Sequence, residues 1–273
     1  MCIGKSVGEK GGNEASDVKI VQALLNLDPA MHAAGPSLIV DGKVGRVESS
    51  KTIKRIRYYQ ERVVKLKAKN IDGKVDPLPR GTTLRTLGER VPSAFTEMKL
   101  RGIMPRGDYT DPPKYYVHLA QAMQAHGINT PLRVAHFLAQ VAHECMDLKF
   151  PEEASGVAYE GRKETLGNTE KGDGHRFRGR GLLHLTGRRN YTFFGEYAGM
   201  NLLDGTNPGK VASDPKLAVD SAVWYWTKLK PELNSFADKD DIRAVTFVVN
   251  GGYNGLNLRK RSLARAKFFL RLP

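Results

Sequence analysis

Cysteine and long apolar runs are nearly absent from this sequence, and each absence excludes a class of protein. Its 273 residues include only two cysteines, Cys2 and Cys145, which are too few for a disulfide-stabilised scaffold. Cys145 lies within an apolar helical pattern, so we interpret it as a small buried hydrophobic residue. No segment reaches the about 20 apolar residues of a membrane-spanning helix, and residues 1–14 lack the apolar core of a secretory signal. We therefore expect a protein that is synthesised without a signal peptide.

Motifs for metals and nucleotides are missing as well. His143 and Glu144 begin a zincin-like pattern, but its fifth position is Asp147 instead of a second histidine. A zinc deaminase would need a downstream Cys-x-x-Cys pair, which this sequence does not contain. A P-loop and a dinucleotide-binding fingerprint are also absent. The sequence thus indicates no metal and no organic cofactor.

Positive charge, in contrast, is abundant. The chain has 43 Lys and Arg residues against 29 Asp and Glu residues, a formal net charge of +14. Such an excess favours a polyanionic partner, either nucleic acid or an anionic bacterial envelope. A basic surface that is merely solvated is the third interpretation, and charge alone does not choose among them.

The apolar pattern divides the chain into two blocks. In the first block, residues 1–90, helical spacing predicts one helix over 16–27 with Ser16 as its N-cap and a second helix over 51–69. Two similar Asp-Gly turns, at 40–45 and 71–76, flank the second helix and predict a small three-helix-type bundle. Residues 91–112 lack sustained periodicity and predict a linker. A second block, residues 113–273, is long enough to bury its own core.

The second block is predicted to be mainly α-helical, with a small β-sheet or none. Helical patterns cover residues 115–126, 131–148, 215–229 and 240–250, and a region rich in glycine and arginine covers roughly 151–190. Thr130 and Pro131 predict a helix start just before the second of these patterns. The apolar stripe of that helix consists of Val134, Phe137, Leu138, Val141 and Cys145.

Glu144 lies at the border of this stripe, whereas His143 is predicted to point away from it. A carboxyl group that apolar neighbours partly desolvate has a raised pKa, which suits a general acid near neutral pH. Two further acids, Glu152 and Glu153, follow the helix. Two carboxylates in unequal surroundings are the groups that acid/base glycoside hydrolysis uses. A boundary charge and two solvated loop acids remain the alternative interpretation of the pattern.

Three stretches carry a resemblance to a known family, namely residues 139–144 (AQVAHE), 159–191 (YEGRKETLGNTEKGDGHRFRGRGLLHLTGRRNY) and 245–261 (VTFVVNGGYNGLNLRKR). From about residue 113 onward the chain resembles family 19 glycoside hydrolases, in particular the lysozyme-like branch of bacteriophage endolysins. That resemblance implies a lysozyme-like, two-lobed α-helical catalytic domain. The first block resembles a small peptidoglycan-binding domain through SDVKIVQALLNL, VDGKVG, TIKRIRYYQ and DGKVDPLPRGTTLRTL.

The resemblance implies roles for individual residues. Glu144 matches the general acid, and the base that activates water maps to Glu153, or to Glu152 if the chain is aligned back from residue 156. Thr186 matches the hydroxyl residue that helps to hold the attacking water. The remaining matches are substrate-contacting or cleft-organising positions: His184, Asn190, Tyr191, Asn250 and Arg259. His184 departs from the family pattern, which usually has glutamine there.

These matches imply an endolysin that hydrolyses β-1,4 bonds of peptidoglycan as a muramidase, with chitin as the alternative substrate. The family reaction is inverting, which predicts an acid and a base about 6.5–9.5 Å apart. We expect both blocks to bind peptidoglycan, the basic surface to face the anionic envelope, and the chain to be a monomer. We also expect synthesis in a host cytoplasm and action on the cell wall after membrane permeabilisation. The rival hypothesis is a basic nucleic-acid-binding protein whose helix at 51–69 lies along phosphates; we expect no nucleic-acid partner, because the apolar face of that helix is committed to the core.

Overall fold

The computed structural model describes residues 2–107, 109 and 114–273, which are mainly helical. They form two compact units, Met1–Arg106 with Arg261–Pro273, and Gly107–Lys260. The sequence predicted blocks at 1–90 and 113–273 instead. Part of the predicted linker is helical and belongs to the first unit, and residues from 261 onward also belong to that unit. Residues 108 and 110–112 of the predicted linker, and residue 113, lie outside the described residues.

The described part of the first unit contains four helices near the start of the chain, most of the last helix of the chain, and a two-stranded antiparallel sheet. The helices are α1 (Ala15–Leu27), α2 (Lys51–Arg62), α3 (Thr82–Glu89) and α4 (Glu97–Ile103). Strands β1 (Val7–Gly8) and β2 (Lys74–Val75) pair Val7 with Val75. Short 3₁₀ turns occupy Pro29–Ala34 and Ala68–Asn70. The predicted apolar faces are buried in this unit, including Val18, Leu24, Ile53, Ile56 and Tyr59.

An internal repeat organises the two Asp-Gly turns. The Gln22 side chain binds the first turn, since its Nε2 donates to Asp41 Oδ1 (3.0 Å) and Thr52 Oγ1 (3.2 Å) while its Oε1 accepts from Gly42 N. In the second turn, Gln60 makes the same set of bonds with Asp72 Oδ1 (2.7 Å), Thr83 Oγ1 (3.4 Å) and Gly73 N. One buried glutamine therefore holds each turn against the helix that follows it.

The end of the chain completes the core of the first unit. The last helix, α14 (Leu256–Phe269), contributes Phe269, which is fully buried. A Cβ at Gly102 of α4 would lie 2.1 Å from the Phe269 ring, and a Cβ at Gly88 of α3 would lie 2.5 Å from the Phe268 ring. Both glycines are needed where they are, because any side chain would displace these rings.

The second unit consists of helices and connecting loops. Its helices are α5 (Tyr116–Ala125), α6 (Pro131–Glu144), α7 (Lys163–Leu166), α8 (Asp173–Arg176), α9 (Arg188–Ala198), α10 (Asn207–Ser213), α11 (Pro215–Trp224), α12 (Glu232–Asp238), α13 (Ile242–Asn250) and the first residues of α14. A π-helical turn, Tyr225–Leu229, continues α11. One buried cluster joins the loop region to α9 and α11 through Phe177, Tyr191, Phe194 and Trp224. Within the described residues, no helix has the length and apolar character that crossing a bilayer requires.

The structure corrects several predicted boundaries. The N-cap of α1 is Glu14, without a side-chain bond, and Ser16 lies inside the helix. Helix α2 stops at Arg62, well short of residue 69, although Ser50 caps it by accepting from Ile53 N at 3.1 Å. Helices α7 to α10, α12 and α14 were not predicted. Short helices with mixed surfaces carry too little periodic signal, because tertiary packing stabilises them more than their own sequence does.

Candidate active site

Helix α6 places Glu144 at its last position. Thr130 caps the helix by accepting from Arg133 N at 3.3 Å, Pro131 occupies the first turn, and the predicted apolar stripe is buried except for a partly exposed Val134. The sequence predicted that this helix continues to residue 148. Instead, residues 146–148 all adopt left-handed backbone angles, with φ of 49°, 59° and 72°. Such angles cannot continue a right-handed helix, and the resulting reversal leaves Glu144 on an edge.

The Glu144 side chain is 18% exposed and is held by Arg259. Arg259 Nη2 donates to Glu144 Oε1 at 2.6 Å, Nη1 donates to Gln140 Oε1, and Nε donates to the Asn254 carbonyl at 3.3 Å. The sequence predicted apolar neighbours that partly desolvate Glu144 but did not predict this charged partner. A fully buried guanidinium orients the carboxyl group through one oxygen and leaves the other oxygen, Oε2, for chemistry.

His184 lies next to that second oxygen. Its Nδ1 is 3.9 Å from Glu144 Oε2, beyond hydrogen-bond distance, and its Nε2 is 3.3 Å from the Phe150 carbonyl. The His184 backbone has a φ of 49°, which few non-glycine residues adopt. A strained backbone at this position fixes the imidazole between α6 and the loop.

Glu153 is held by two donors in the glycine- and arginine-rich loop. Its Oε1 accepts from the Tyr159 hydroxyl at 2.9 Å, and its Oε2 accepts from Gly179 N at 2.9 Å. A Cβ at residue 179 would lie 2.6 Å from the carboxylate carbon of Glu153 and 2.9 Å from His184 Cβ. Only glycine allows the backbone to approach the carboxylate this closely.

Glu152 has a different environment from its neighbour. It forms an isolated antiparallel bridge with Arg180, and its Oε1 accepts from Arg180 Nε (2.7 Å) and pairs with Arg178 Nη2 (2.6 Å). Side chains alternate along extended backbone, so Glu152 and Glu153 face opposite sides. The ion pairs of Glu152 hold the loop together, whereas Glu153 faces Tyr159.

A groove with a cavity volume of about 310 Å³ brings together four of the predicted residues, His184, Thr186, Asn190 and Asn250. Thr186 Oγ1 donates to the His184 carbonyl at 2.7 Å, and Asn190 Nδ2 donates to the Thr186 carbonyl at 2.8 Å. With its proton engaged, the Thr186 hydroxyl offers lone pairs to a water molecule in the groove. Asn250, at the end of α13, is exposed.

Two residues predicted to bind substrate do not face the groove. Tyr191 and Arg259 are both fully buried, so neither side chain can contact a substrate. The Tyr191 hydroxyl donates to the Arg178 carbonyl at 2.9 Å and accepts from Arg180 Nη1 at 3.1 Å. Tyr191 thus holds the loop that positions Glu153, as Arg259 holds Glu144.

Tyr159 and Tyr225, which were not among the predicted site residues, also line the groove. Burial raises the pKa of Tyr159 to about 12, and the hydrogen bond and charge of Glu153, followed by the charge of Glu144, add to this effect. Burial and then the charge of Glu144 raise the pKa of Tyr225 to about 12. The charges of both carboxylates therefore contribute to the raised pKa of Tyr159. Its position in the motif YEGRKETLG was the available signal for this role.

His143 packs against the chain after α13: a Cβ at Gly255 would lie 2.2 Å from its ring. The imidazole is therefore half-buried against this segment and does not simply point outward. Within the part of the chain that the structure describes, no group of three or more His, Cys, Asp or Glu residues has the geometry to hold a metal ion.

Several known proteins are similar to this chain in sequence. Residues 122–239 match the family model for glycoside hydrolase family 19, described as class I chitinase. Over this segment the chain is therefore similar to family 19 glycoside hydrolases. A Haemophilus influenzae protein described as containing a glycosyl hydrolase family 19 domain is 32% identical over 121 residues, which are 40% of this chain and 56% of that protein. An Arabidopsis thaliana endochitinase is 32% identical over 148 residues, 51% of this chain and 52% of its own length.

The chain spans about half the length of the curated relatives it matches. Solved structures extend the likeness to the fold. Chitinase C from Streptomyces griseus HUT6037 aligns with a TM-score of 0.53 and 22% identity, over 65% of this chain and 76% of that one. A class IV family 19 chitinase from Zea mays aligns with a TM-score of 0.51 and 22% identity, over 67% and 94% of the two chains. The prediction of a mainly α-helical, lysozyme-like fold of this family is confirmed.

Proposed function

We propose that the chain is a cell-wall hydrolase that cleaves the β-1,4 glycosidic bonds of peptidoglycan by an inverting acid/base mechanism. One observation carries this proposal: Glu144 and Glu153, held by separate donors, each lie against a side chain that lines the same groove, since Glu144 Oε2 is 3.9 Å from His184 Nδ1 and Glu153 accepts from the Tyr159 hydroxyl. Two independently fixed carboxylates beside one groove are the equipment of a glycosidase. The family 19 domain supports the same reaction class.

In this mechanism Glu144 is the general acid. Arg259 fixes its Oε1, so Oε2 carries the proton and donates it to the glycosidic oxygen as the bond breaks. His184, 3.9 Å from Oε2, limits the directions from which the leaving group can approach. The structural role of Arg259 is to keep this oxygen fixed beside His184, which lines the groove.

Glu153 is the general base and removes a proton from the attacking water. Tyr159 and Gly179 N donate to its two oxygens, which keeps the carboxylate oriented and leaves further lone pairs for the water. Thr186, whose own proton is bound by the His184 carbonyl, accepts the second hydrogen of that water. Attack from the face opposite to the leaving group then inverts the anomeric centre.

Peptidoglycan is proposed as the substrate because the chain combines this domain with a basic first unit. A cavity of about 620 Å³ in that unit is lined by four cationic side chains, Lys43, Lys51, Lys54 and Arg55. Together with the net charge of +14, they suit an anionic wall polymer. We propose that this unit binds the wall, that the chain acts as a monomeric endolysin, and that it reaches the wall once the host membrane is permeable.

Chitin is the second candidate substrate. It is favoured by the names of the relatives, several of which are endochitinases. Chitin and peptidoglycan share the β-1,4-linked N-acetylhexosamine backbone, so the groove chemistry suits both polymers. They differ in that muramic acid carries a lactyl carboxyl group to which a peptide is attached.

Glu144→Gln is the main test of the proposal. The amide cannot donate the required proton, so hydrolysis should fall by about 10²- to 10⁴-fold while wall binding is retained. Mass spectrometry of the reducing ends from purified peptidoglycan identifies the bond, and colloidal chitin is the parallel substrate. Activity within tenfold of the parent would remove Glu144 from the acid role.

Glu153→Ala and Glu152→Ala form a matched pair for the base. Glu153→Ala should lose nearly all activity with little loss of stability. Glu152→Ala should chiefly lower the melting temperature, because Arg178 and Arg180 lose their shared partner. The reverse ranking of activities would assign the base to Glu152, and small equal losses would contradict the two-carboxylate mechanism.

Wall binding is tested with the full-length Glu144→Gln protein, which cannot digest its own target. It should sediment with purified peptidoglycan, with part of the binding lost as salt screens the basic side chains. Duplex DNA is the competing ligand. Tight binding to DNA without sedimentation on peptidoglycan would favour the nucleic-acid hypothesis over this one.

A further inference from the structure

Helix α13 has an exposed face that runs from Asn250, at the groove, back toward the start of the helix. Arg243, Phe247 and Asn250 occupy positions i, i+4 and i+7 of this helix, so their side chains follow one another along a single face. All three are exposed, and Phe247 is 52% accessible. Because Asn250 lines the groove, this strip of surface is continuous with the candidate active site.

Tyr253 returns to the same strip after the helix ends. Gly251, with a φ of 72°, terminates α13 by donating to the Phe247 carbonyl at 2.8 Å, and this reversal brings the chain back toward the helix. The Tyr253 and Phe247 ring centroids are 5.6 Å apart at an interplanar angle of 46°, and Tyr253 is 50% exposed. The guanidinium carbon of Arg243 lies 4.6 Å from the Tyr253 ring centroid.

A cluster of half-exposed aromatic rings leaves apolar surface in contact with water, which is unfavourable. Such apolar patches mark interaction surfaces. A pyranose ring presents C–H groups on its faces, which pack well on aromatic rings. Within the described residues, no acidic side chain pairs with the Arg243 guanidinium. Its planar fork therefore remains available for two parallel hydrogen bonds to a carboxylate.

We propose that Arg243, Phe247 and Tyr253 form an additional subsite for a substituted glycan strand that extends out of the groove past Asn250. The two rings pack against a sugar, and Arg243 binds a free carboxylate of the peptide that muramic acid carries, since the lactyl carboxyl itself is consumed in the amide bond to that peptide. This inference rests on the proposed function, since it requires a glycan strand in the groove. It adds a residue that distinguishes peptidoglycan from chitin, whose sugars carry no carboxylate.

The decisive measurement compares KM values of variants on two soluble substrates, peptidoglycan strands that retain their peptides and chitin oligomers of similar length. Arg243→Gln should raise the KM for peptidoglycan about tenfold, the equivalent of about 1.4 kcal/mol of binding. The KM for chitin oligomers should stay within about twofold. Tyr253→Ala should raise the KM for both substrates, because ring packing does not depend on the carboxylate.

Three further measurements test the carboxylate subsite. Tyr197→Ala removes a similarly exposed ring, 45% accessible, on helix α9 away from the strip and should leave both KM values unchanged. Amidation of the peptidoglycan carboxyl groups should raise the KM of the parent to that of Arg243→Gln and leave the variant unaffected. Arg243→Lys keeps the charge without the planar fork and should give an intermediate KM.

The outcomes separate this inference from the proposed function. If the parent digests peptidoglycan but Arg243→Gln has the parental KM, or raises both KM values equally, the carboxylate subsite is wrong while the proposed function stands. If the parent digests only chitin, the proposed peptidoglycan activity fails and this subsite fails with it. Unfolding curves of each variant show that changes in KM do not come from lost stability.

Discussion

Replacement of Gly179 by alanine is expected to abolish most activity by displacing Glu153. The new Cβ would lie 2.6 Å from the Glu153 carboxylate carbon and 2.9 Å from His184 Cβ. Non-bonded carbon atoms prefer about 3.5–4.0 Å, so the carboxylate must move by about 1 Å. A misplacement of that size can cost about 100-fold in rate. The loss should appear in kcat, since the groove wall that contacts the sugar is otherwise intact.

The assay is initial-rate hydrolysis of soluble peptidoglycan strands, with chitin oligomers in parallel and the melting temperature measured for each variant. Gly209→Ala is the matched control, because no atom lies within 4 Å of the Cβ position at residue 209 in helix α10. Alanine there should leave the rate unchanged and raise the stability slightly, since glycine is unfavourable within a helix.

A Gly179→Ala variant that folds normally and keeps a kcat within threefold of the parent would refute this reasoning. It would mean either that the loop relaxes without moving the carboxylate or that Glu153 does not act in the rate-limiting step. A combined Gly179→Ala and Glu153→Ala variant distinguishes these two results. It should be no slower than Glu153→Ala alone if both changes act through the same carboxylate.

Three further outcomes are expected. Tyr159→Phe removes a hydrogen bond to a carboxylate and should lower kcat about tenfold, and because the Tyr159 pKa is about 12 the parent should keep this donor up to about pH 10. Burial lowers the pKa of Lys99 from 10.5 to about 8, so parental stability should rise as the pH increases from about 8 to 10.5. Lys99→Met should be more stable than the parent at pH 7, by on the order of 2–3 kcal/mol, and should lack this rise in denaturant titrations. Phe269→Ala should destabilise the first unit by about 3–5 kcal/mol, whereas a loss under 1 kcal/mol would show that the end of the chain is a dispensable tail.

Local signals in the sequence predicted the elements that they directly encode. Thr130 and Pro131 located the start of α6, and the apolar stripe correctly predicted which face of that helix is buried. The end of α6 was wrong, because residues 146–148 carry no glycine or proline and their left-handed angles depend on the tertiary structure. Helix starts have side-chain signatures, but this helix end had none.

In the candidate site, too, the sequence predicted locally encoded features but not those that depend on tertiary contacts. Glu144 was predicted from its own helix, but the partner that orients it, Arg259, lies 115 residues away and was predicted only as a substrate-contacting or cleft-organising position, without a link to Glu144. Sequence spacing also could not decide between Glu152 and Glu153. The structure separates them through contacts with residues 159 and 178–180, which lie far along the loop and leave no periodic pattern.

The paired glutamines in the first unit have a consequence for how such a unit could grow or shrink. Helix α2 takes part in both turns, because its Thr52 accepts from the glutamine that holds the first turn and its Gln60 holds the second. Helix α1 contributes only a glutamine and α3 contributes only a threonine. Each repeat therefore consists of a glutamine on one helix, the turn that follows, and a threonine on the next helix, so that the two repeats share α2. Excising a turn without the helix that follows it would orphan a buried amide, while inserting another turn and helix with the same threonine and glutamine would lengthen the chain of links without disturbing its ends.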